Sequence, residues 1–275
     1  MIPVEIAPFQ LREPTGLELP LLVSIPHTGV HVPEALAADF ASDYIRSLPM
    51  TDWHLHRLYD FLPALGATTV YATYSRFVAD LNRPPDDKPL YPGRFETGFV
   101  ALKTFWGEDI YRTPPHAEEI ARRREQVHAP YHAKLLELLQ SKIARFGGVV
   151  LIDAHSVASR ANKLHGELKD DIYLGDRDGQ SNSGWLTAEV EGSCRRAGLK
   201  VVRNDPYKGG YITDHYGKLP DVAALQVEMC WRLYMDEADP QDGLRHPRFS
   251  AFKKTLEGVF SSLAARIKLH KQVSK

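Results

Sequence analysis

Apolar runs with the length of buried β-strands alternate with longer amphipathic segments along this chain, and this alternation constrains its fold most. The strand-like runs are residues 20–25, 67–72, 147–156, 171–176, 199–204 and 223–229, and the helix-like segments are residues 51–66, 114–147, 184–198 and 248–272. Such alternation is typical of an α/β sheet that helices cover on both faces. Because no repeat or low-complexity linker interrupts it, we predict a single domain over residues 1–275.

Composition excludes several kinds of partner and site. A formal net charge of −1 on 275 residues creates no overall field that attracts nucleic acid or an anionic membrane. The N-terminus lacks the basic and apolar regions of a signal peptide, and no segment approaches the roughly 20 apolar residues of a membrane span. Cys194 and Cys230 form no CxxC motif, so we expect two buried thiols. A cytoplasmic protein without a disulfide framework is expected.

Two of the strand-like runs end in a histidine. His27 follows "VSIP" and His155 follows "VLIDA". Ligands of open α/β sheets bind beyond the carboxyl ends of the strands, so we expect the two imidazoles to lie near each other at one edge of the sheet. One histidine at a strand end is more often structural. Two in equivalent positions, each followed by a small polar residue, indicate a metal site.

A catalytic zinc ion usually has three protein ligands, and Asp52 is the first candidate for the third. It lies in the first turn of the predicted helix 51–66, where a carboxylate also interacts favourably with the helix dipole. His54 is an alternative ligand or a partner of one, whereas His56 is expected at the surface. Asp153, two residues before the second strand-end histidine and on the same strand face, is placed to orient a ligand imidazole.

Glu228 lies inside the strand-like run "LQVEMC". Burial of a carboxylate among apolar neighbours costs free energy unless the group is paired or functional. One interpretation is a structural salt bridge to an arginine. The other is a general base and acid with a raised pKa, which takes a proton from an attacking water molecule.

Cationic residues and two loops supply candidate substrate contacts. Arg76, Asn82 and Arg83 lie in "YSRFVADLNRPPDD", and guanidinium groups bind carboxylates in a bidentate manner, so an acidic substrate is indicated. The loop 84–114 is rich in Pro, Gly and aromatic residues and is a candidate lid. In "NDPYKGGYITDHYG", Gly210 and its neighbour allow the backbone to approach a ligand closely.

Six segments occur together and in order: "SIPHTG", "TDWH", "YSRFVADLNRP", "DAHS", "YKGGYITDHYG" and "LQVEM". Together they resemble the N-formylglutamate amidohydrolase family, also called N-formylglutamate deformylases, from about residue 20 to about residue 235. This family is similar in fold to the zinc carboxypeptidases and the zinc-dependent muramoyl-alanine amidases. The resemblance implies a mixed β-sheet between helices and one bound Zn²⁺.

The resemblance also implies roles for particular residues. These are the zinc ligands His27, Asp52 and His155, the carboxylate-binding pair Asn82 and Arg83, and the catalytic Glu228. Carboxypeptidases place their carboxylate ligand three residues after the first histidine, where this chain has Val30. The acidic ligand must therefore come from elsewhere, as it does in the amidases, where it comes from the start of a helix.

The implied activity is hydrolysis of N-formyl-L-glutamate to formate and L-glutamate, the last step of one route of histidine degradation. Arg76 and His215 are further catalytic candidates, and Gly210 and Tyr211 are expected to contact this small anionic substrate. Two alternatives stay open. One is a zinc-dependent hydrolase of another N-acyl amino acid or peptide, and the other is an amino-acid-binding protein with a structural metal.

Overall fold

The computed structural model describes residues 6–91, 93 and 95–269, which fold around one β-sheet. The strands of these residues are β1 Phe9–Arg12, β2 Leu21–Ile25, β3 Thr68–Ala72, β4 Val149–Val157, β5 Ile172–Gly175, β6 Val201–Arg203 and β7 Val222–Cys230. The α-helices are α1 Glu34–Ala37, α2 Asp43–Arg46, α3 Leu55–Leu58, α4 Ala117–Arg123, α5 Ala129–Phe146, α6 Trp185–Arg196, α7 Tyr211–Tyr216 and α8 Pro247–Leu269. Short 3₁₀ turns span Leu62–Leu65, Trp231–Leu233 and Pro240–Arg245.

The sheet is mixed, with the strand order β1-β3-β2-β4-β7-β5-β6. The central strands β3, β2, β4 and β7 are parallel, whereas β1 pairs with β3 and β5 with β7 in antiparallel fashion. The register aligns Ser24 with Asp153 and His155 with Glu228. Because parallel strands end at the same edge of a sheet, the residues that follow β2, β4 and β7 converge there. The predicted mixed α/β fold is confirmed.

Helices cover both faces of this sheet. On one face Tyr131 of α5 hydrogen-bonds to Ser24 of β2, at 2.8 Å between the two hydroxyl oxygens. On the other face Tyr234, which stacks on a phenylalanine of α8, hydrogen-bonds to Ser156 of β4 at 2.8 Å. Ser156 lies three positions after Asp153, the residue level with Ser24, so it projects to the opposite side of the sheet.

The predicted strands and the helices 184–198 and 248–272 correspond to observed elements, although residues 270–272 lie outside the described residues. The helix predicted over 114–147 begins at Ala117 and contains a π turn, Arg124–His128, directly before α5. Pro130 explains this turn, because it has no N–H to close an α-helical hydrogen bond. Within the described part of the chain, no helix has both the length and the apolarity that crossing a bilayer requires.

The helix predicted over residues 51–66 is wrong. Only Leu55–Leu58 are α-helical, and Asp52 precedes this turn instead of lying inside it. The N–H of Asp52 donates to the carbonyl of His27 at 3.0 Å, and His54 has a left-handed backbone with φ of 60°. Tertiary hydrogen bonding therefore overrides the helical periodicity here, and the interaction expected between Asp52 and a helix dipole is absent from the structure.

Several short elements have no counterpart in the sequence analysis. These are β1, α1, α2 and α7, each of six residues or fewer. Elements of that length are too short to show a hydrophobic period. Of the four, α7 matters most for function, because it lies inside the segment interpreted as a Gly–Gly loop. The two cysteines are buried thiols, as predicted.

Candidate metal centre and substrate cavity

The ends of β2 and β4 bring His27 and His155 together. Both side chains are buried, and their ring centroids are 4.8 Å apart. Asp52 joins them, so that one ligand atom from each of the three residues lies within 4.8 Å of the other two. His54 does not take part, because its Nε2 hydrogen-bonds to the carbonyl oxygens of Pro240 and Gln241. Of the two candidates for a third ligand, the structure places Asp52 in the cluster.

In both imidazoles the inner nitrogen, Nδ1, points toward the carboxylate of Asp52. Its Oδ2 lies 3.1 Å from Nδ1 of His155 and 3.9 Å from Nδ1 of His27. Nδ1 of His27 is buried and has no hydrogen-bond partner. A buried imidazole nitrogen without a partner is costly in a folded protein, and here it faces a carboxylate and a second imidazole nitrogen. Two histidines and one carboxylate that leave further positions open are the ligand set of catalytic zinc sites, so these residues fit such an ion.

Each imidazole also has a carboxylate beside its outer nitrogen, Nε2. Asp80 Oδ1 lies 2.7 Å from Nε2 of His27, and Asp153 Oδ1 lies 3.0 Å from Nε2 of His155. Such carboxylates orient metal-binding histidines and make them better ligands. The position of Asp153 matches the role predicted for it, whereas Asp80 is absent from the sequence analysis. Its signal was its place in "FVADLNR", which we interpreted only for its arginine and asparagine.

The pKa values of the two imidazoles shift in opposite directions. Burial, assisted by Arg76, lowers the pKa of His27 below its ordinary value, although Asp80 opposes this. Burial would also lower the pKa of His155, but the carboxylates of Asp153 and Asp52 raise it well above its ordinary value. The region around His155 therefore carries an excess of negative charge, which a bound cation would neutralise.

Glu228 occupies the position next to His155 in the sheet register, on β7. Its side chain lines a cavity that His27, Asp52 and His155 also line, and it is 7% exposed. Burial raises its pKa to about 8, while His155 acts in the opposite direction. Among the described residues its carboxylate forms no ion pair, so the salt-bridge interpretation is not supported. A buried, protonatable carboxylate that faces a cavity has the properties of a general base and acid.

Arg76 and Arg83 both line the cavity but have different partners. The guanidinium of Arg76 is buried and donates to Oδ2 of Asp80 at 2.6 Å. That of Arg83 is half-buried and donates only to neutral oxygens, namely the carbonyl and hydroxyl of Thr97 and the carbonyl of Asn82. In the described part of the chain Arg83 has no carboxylate partner, so its charge is free to attract an anion.

Asn82 also lines the cavity, but its side-chain amide is already hydrogen-bonded to other residues of the protein. Nδ2 donates to Oδ2 of Asp153 at 3.0 Å and lies 2.8 Å from Nε2 of His155, and Oδ1 accepts from the N–H of Ile212 at 2.8 Å. Gly210 permits this arrangement, since a Cβ there would lie 2.3 Å from Nδ2 of Asn82. The close approach expected of Gly210 is thus to Asn82.

The cavity has a volume of about 770 Å³, and three loop segments contribute to its lining besides the residues at the strand ends. The first contributes Tyr91, Phe95, Glu96, Phe105 and Trp106, the second contributes residues 163–170, and the third contributes residues 205–210, which precede α7. Tyr207, one of the polar aromatic residues in the segment "NDPYKGGYITDHYG", lines it too. The signal for it was the cluster of polar aromatic side chains around the two glycines.

Two predicted site residues do not line this cavity. Tyr211 and His215 lie one turn apart on α7 and stack on each other, with ring centroids 4.9 Å apart, and His215 is exposed. The helical turn directs Ile212 and Thr213 toward the sheet, so it turns His215 toward solvent. The contact of Tyr211 and His215 with the substrate that the sequence suggests stays a prediction, because neither side chain lines this cavity. His56 is half-buried, not at the surface, because its Nδ1 hydrogen-bonds to Thr28 at 2.9 Å.

Known proteins with similar sequences and structures share one description. The sequence model for N-formylglutamate amidohydrolase matches residues 19–235. A relative called N-formylglutamate deformylase, from Pseudomonas putida, is 40% identical over 255 residues, which are 90% of this chain and 95% of the relative. Another of the same name, from Pseudomonas aeruginosa, is 43% identical over 226 residues, or 81% of this chain and 84% of the relative.

A solved structure agrees with these sequences. The crystal structure of N-formylglutamate amidohydrolase from Ralstonia eutropha JMP134 matches with a TM-score of 0.81 and 30% sequence identity. The match covers 96% of this chain and 99% of that one. The similarity therefore extends over nearly the whole length of both chains.

Proposed function

This chain belongs to the N-formylglutamate amidohydrolase family, and we propose that it hydrolyses N-formyl-L-glutamate to formate and L-glutamate with the help of one zinc ion. As a member of this family it is an amidohydrolase. The observation that carries the proposal is the convergence of His27, Asp52 and His155 beside Glu228 in one cavity. We propose further that residues 1–275 form a single domain. The cytoplasmic location stays a prediction.

Three residues would hold the zinc ion: His27 and His155 through Nδ1, and Asp52 through its carboxylate. A zinc ion in such a site polarises a substrate carbonyl and makes a water molecule more acidic. Asp80 hydrogen-bonds to the outer nitrogen of His27, and the carboxylate of Asp153 lies beside the outer nitrogen of His155, which leaves the inner nitrogens for the ion.

Glu228 moves the proton in the proposed reaction. Its carboxylate takes a proton from the attacking water molecule, whose oxygen forms a bond to the formyl carbon. The carbon–nitrogen bond then breaks, and Glu228 returns the proton to the leaving amine of glutamate. Burial raises the pKa of Glu228 to about 8, and a nearby cation would bring it down, so this carboxyl group can both accept and donate a proton near neutral pH.

Arg83 is proposed to bind one carboxylate of the substrate. Its guanidinium lines the cavity and, within the described residues, forms no ion pair, so an incoming carboxylate can pair with it directly. Arg76 is paired with Asp80, and its Nε is buried without a hydrogen-bond partner. We propose that this remaining N–H assists binding of the second carboxylate.

Formate release from N-formyl-L-glutamate tests the proposal directly. We expect activity that is lost on treatment with a chelator, restored by zinc, and absent in His27→Ala and His155→Ala, which also lose stoichiometric zinc. His116→Ala is the matched control, because His116 is exposed at the start of α4. N-formyl derivatives of neutral amino acids and longer N-acyl glutamates form the comparison panel. Hydrolysis of these at equal rates, or activity that survives zinc removal, would contradict the proposal.

A further inference from the structure

A second pair of histidines lies behind the metal centre, on the π turn and on α5. His128 and His132 stack on each other with ring centroids 4.1 Å apart. Nε2 of His132 lies 2.9 Å from the carbonyl oxygen of Leu81, and Nε2 of His128 lies 3.0 Å from that of Arg83. Because a carbonyl oxygen only accepts, both imidazoles carry their proton on Nε2 and donate it to the main chain on either side of Asn82.

Asn82, between these two carbonyls, contacts the supports of both ligand imidazoles. Its backbone N–H donates to Oδ1 of Asp80 at 2.9 Å, and the same oxygen lies 2.7 Å from Nε2 of His27. Its side-chain Nδ2 donates to Asp153 and lies 2.8 Å from Nε2 of His155. A rotation of the peptide at residue 82 would therefore move the partners of both imidazoles at once.

We propose that His128 and His132 are positioning residues, which fix the main chain at Asn82 and, through Asn82, orient the imidazoles of His27 and His155. The inference rests on the proposed function for its kinetic consequences and on the proposed zinc site for its effect on metal affinity. It also assigns Asn82 a role different from the direct substrate contact expected from the sequence, since no atom of its side-chain amide is left unpaired.

Three features of the structure suit this role. The two histidines are four residues apart, so they share one face of the helix. The π turn that ends at His128 sets the direction in which this face points, which is toward residues 81–83. Residues 81–83 belong to no described helix or strand, so their buried carbonyls need donors from elsewhere. Burial lowers the pKa of both histidines, and that of His132 falls well below its ordinary value, so each ring stays neutral.

Substitution of His132 separates positioning from simple packing. In His132→Leu we expect the affinity for zinc, measured by competition with a chelator, to fall by about 10–100-fold, and kcat to fall with it. In the metal-free protein, hydrogen exchange at the amides of Asn82 and Ile212 should accelerate while exchange in β7 does not. His132→Gln keeps an N–H donor at similar reach and should restore most of each property. His116→Leu, an exposed histidine of the same helical segment, is the matched control.

The outcomes distinguish this inference from the proposed function. A variant with a lower melting temperature but unchanged zinc affinity and unchanged exchange at residues 82 and 212 would overturn the inference, and so would a glutamine variant as impaired as the leucine variant. If His132→Leu does not fold, NMR of the wild-type imidazoles decides, because a proton on Nδ1 or a cationic ring at either histidine at pH 7 also overturns it. A wild-type protein that binds zinc but releases no formate refutes the proposed function and leaves the exchange and zinc measurements decisive here.

Discussion

The two halves of the metal centre differ in the charged groups that surround each imidazole. The β2 half, His27 with Asp80, Arg76 and Arg83, contains two arginines, and Asp80 is paired with one of them. The β4 half, His155 with Asp153 and Glu228, contains two carboxylates and no arginine. The symmetry of the two strand ends is thus limited to the imidazoles and their orienting carboxylates.

This difference indicates how one cavity can separate binding from chemistry. In the proposed function, the arginines of the β2 half would attract the anionic substrate and Glu228 of the β4 half would act as the base, so the scissile amide would lie between them. The same difference explains the pKa values. Burial and Arg76 lower that of His27, whereas two carboxylates overcome burial and raise that of His155.

Removal of the base on the β4 half should have the largest effect. Glu228→Gln keeps the shape of the side chain and abolishes proton transfer, so kcat should fall by about 10²–10⁴. KM and zinc content should stay near wild type, because neither depends on the transferred proton. Measurement of kcat, KM and bound zinc on one preparation checks this. A raised KM with normal kcat would mean that both halves bind substrate.

Removal of the free charge on the β2 half should act on binding. Loss of a charge-assisted contact to a buried carboxylate costs about 2–5 kcal/mol, so Arg83→Ala should lower kcat/KM by roughly one and a half to three and a half decades. The loss should appear mainly in KM and should be small for a substrate analogue with an amide in place of the carboxylate. Equal losses for charged and neutral substrates would show that Arg83 supports structure.

The two orienting carboxylates should respond differently to the same substitution. Asp80→Asn leaves Arg76 buried without its ion-pair partner, which typically costs about 3–5 kcal/mol of stability. Asp153→Asn breaks no arginine pair, so it should mainly weaken zinc binding, by about 10–100-fold. Denaturant unfolding of the metal-free proteins, together with zinc titrations, checks both expectations. Equal losses of stability would remove the distinction between the two halves.

A smaller effect is expected from His56, which supports the β2 half through Thr28. Burial lowers its pKa from 6.5 to about 4, so the unfolded chain binds this proton more readily than the folded chain. The contribution of His56 to stability is therefore complete above pH 6.5 and is lost as the pH falls toward 4. Since the side chain is only half-buried, we expect a change on the order of 1 kcal/mol. His56→Gln should unfold with a shallower loss of stability over this range, and an unchanged slope would contradict the assignment.

Much of the fold could be read from the sequence, because the signals were local. Runs such as "VVLI" are apolar throughout, which is typical of a strand buried on both faces. The two histidines and Glu228 stood out for the same reason, since a polar residue at the end of or inside such a run is conspicuous. The prediction over residues 51–66 failed where a single tertiary hydrogen bond, from Asp52 to His27, decided the backbone.

The sequence by itself determined the α/β class, the strand ends that carry His27 and His155, and the family. Only the tertiary structure decided that Asp80 supports His27, that Asn82 donates to the carboxylates beside both imidazoles, and that His215 turns away from the cavity. Local burial patterns repeat along a strand or helix and can be recognised within a few residues. Contacts between side chains 50 or more positions apart, such as His27 with Asp80, depend on strand register and on loop geometry, which have no periodic signature in the chain.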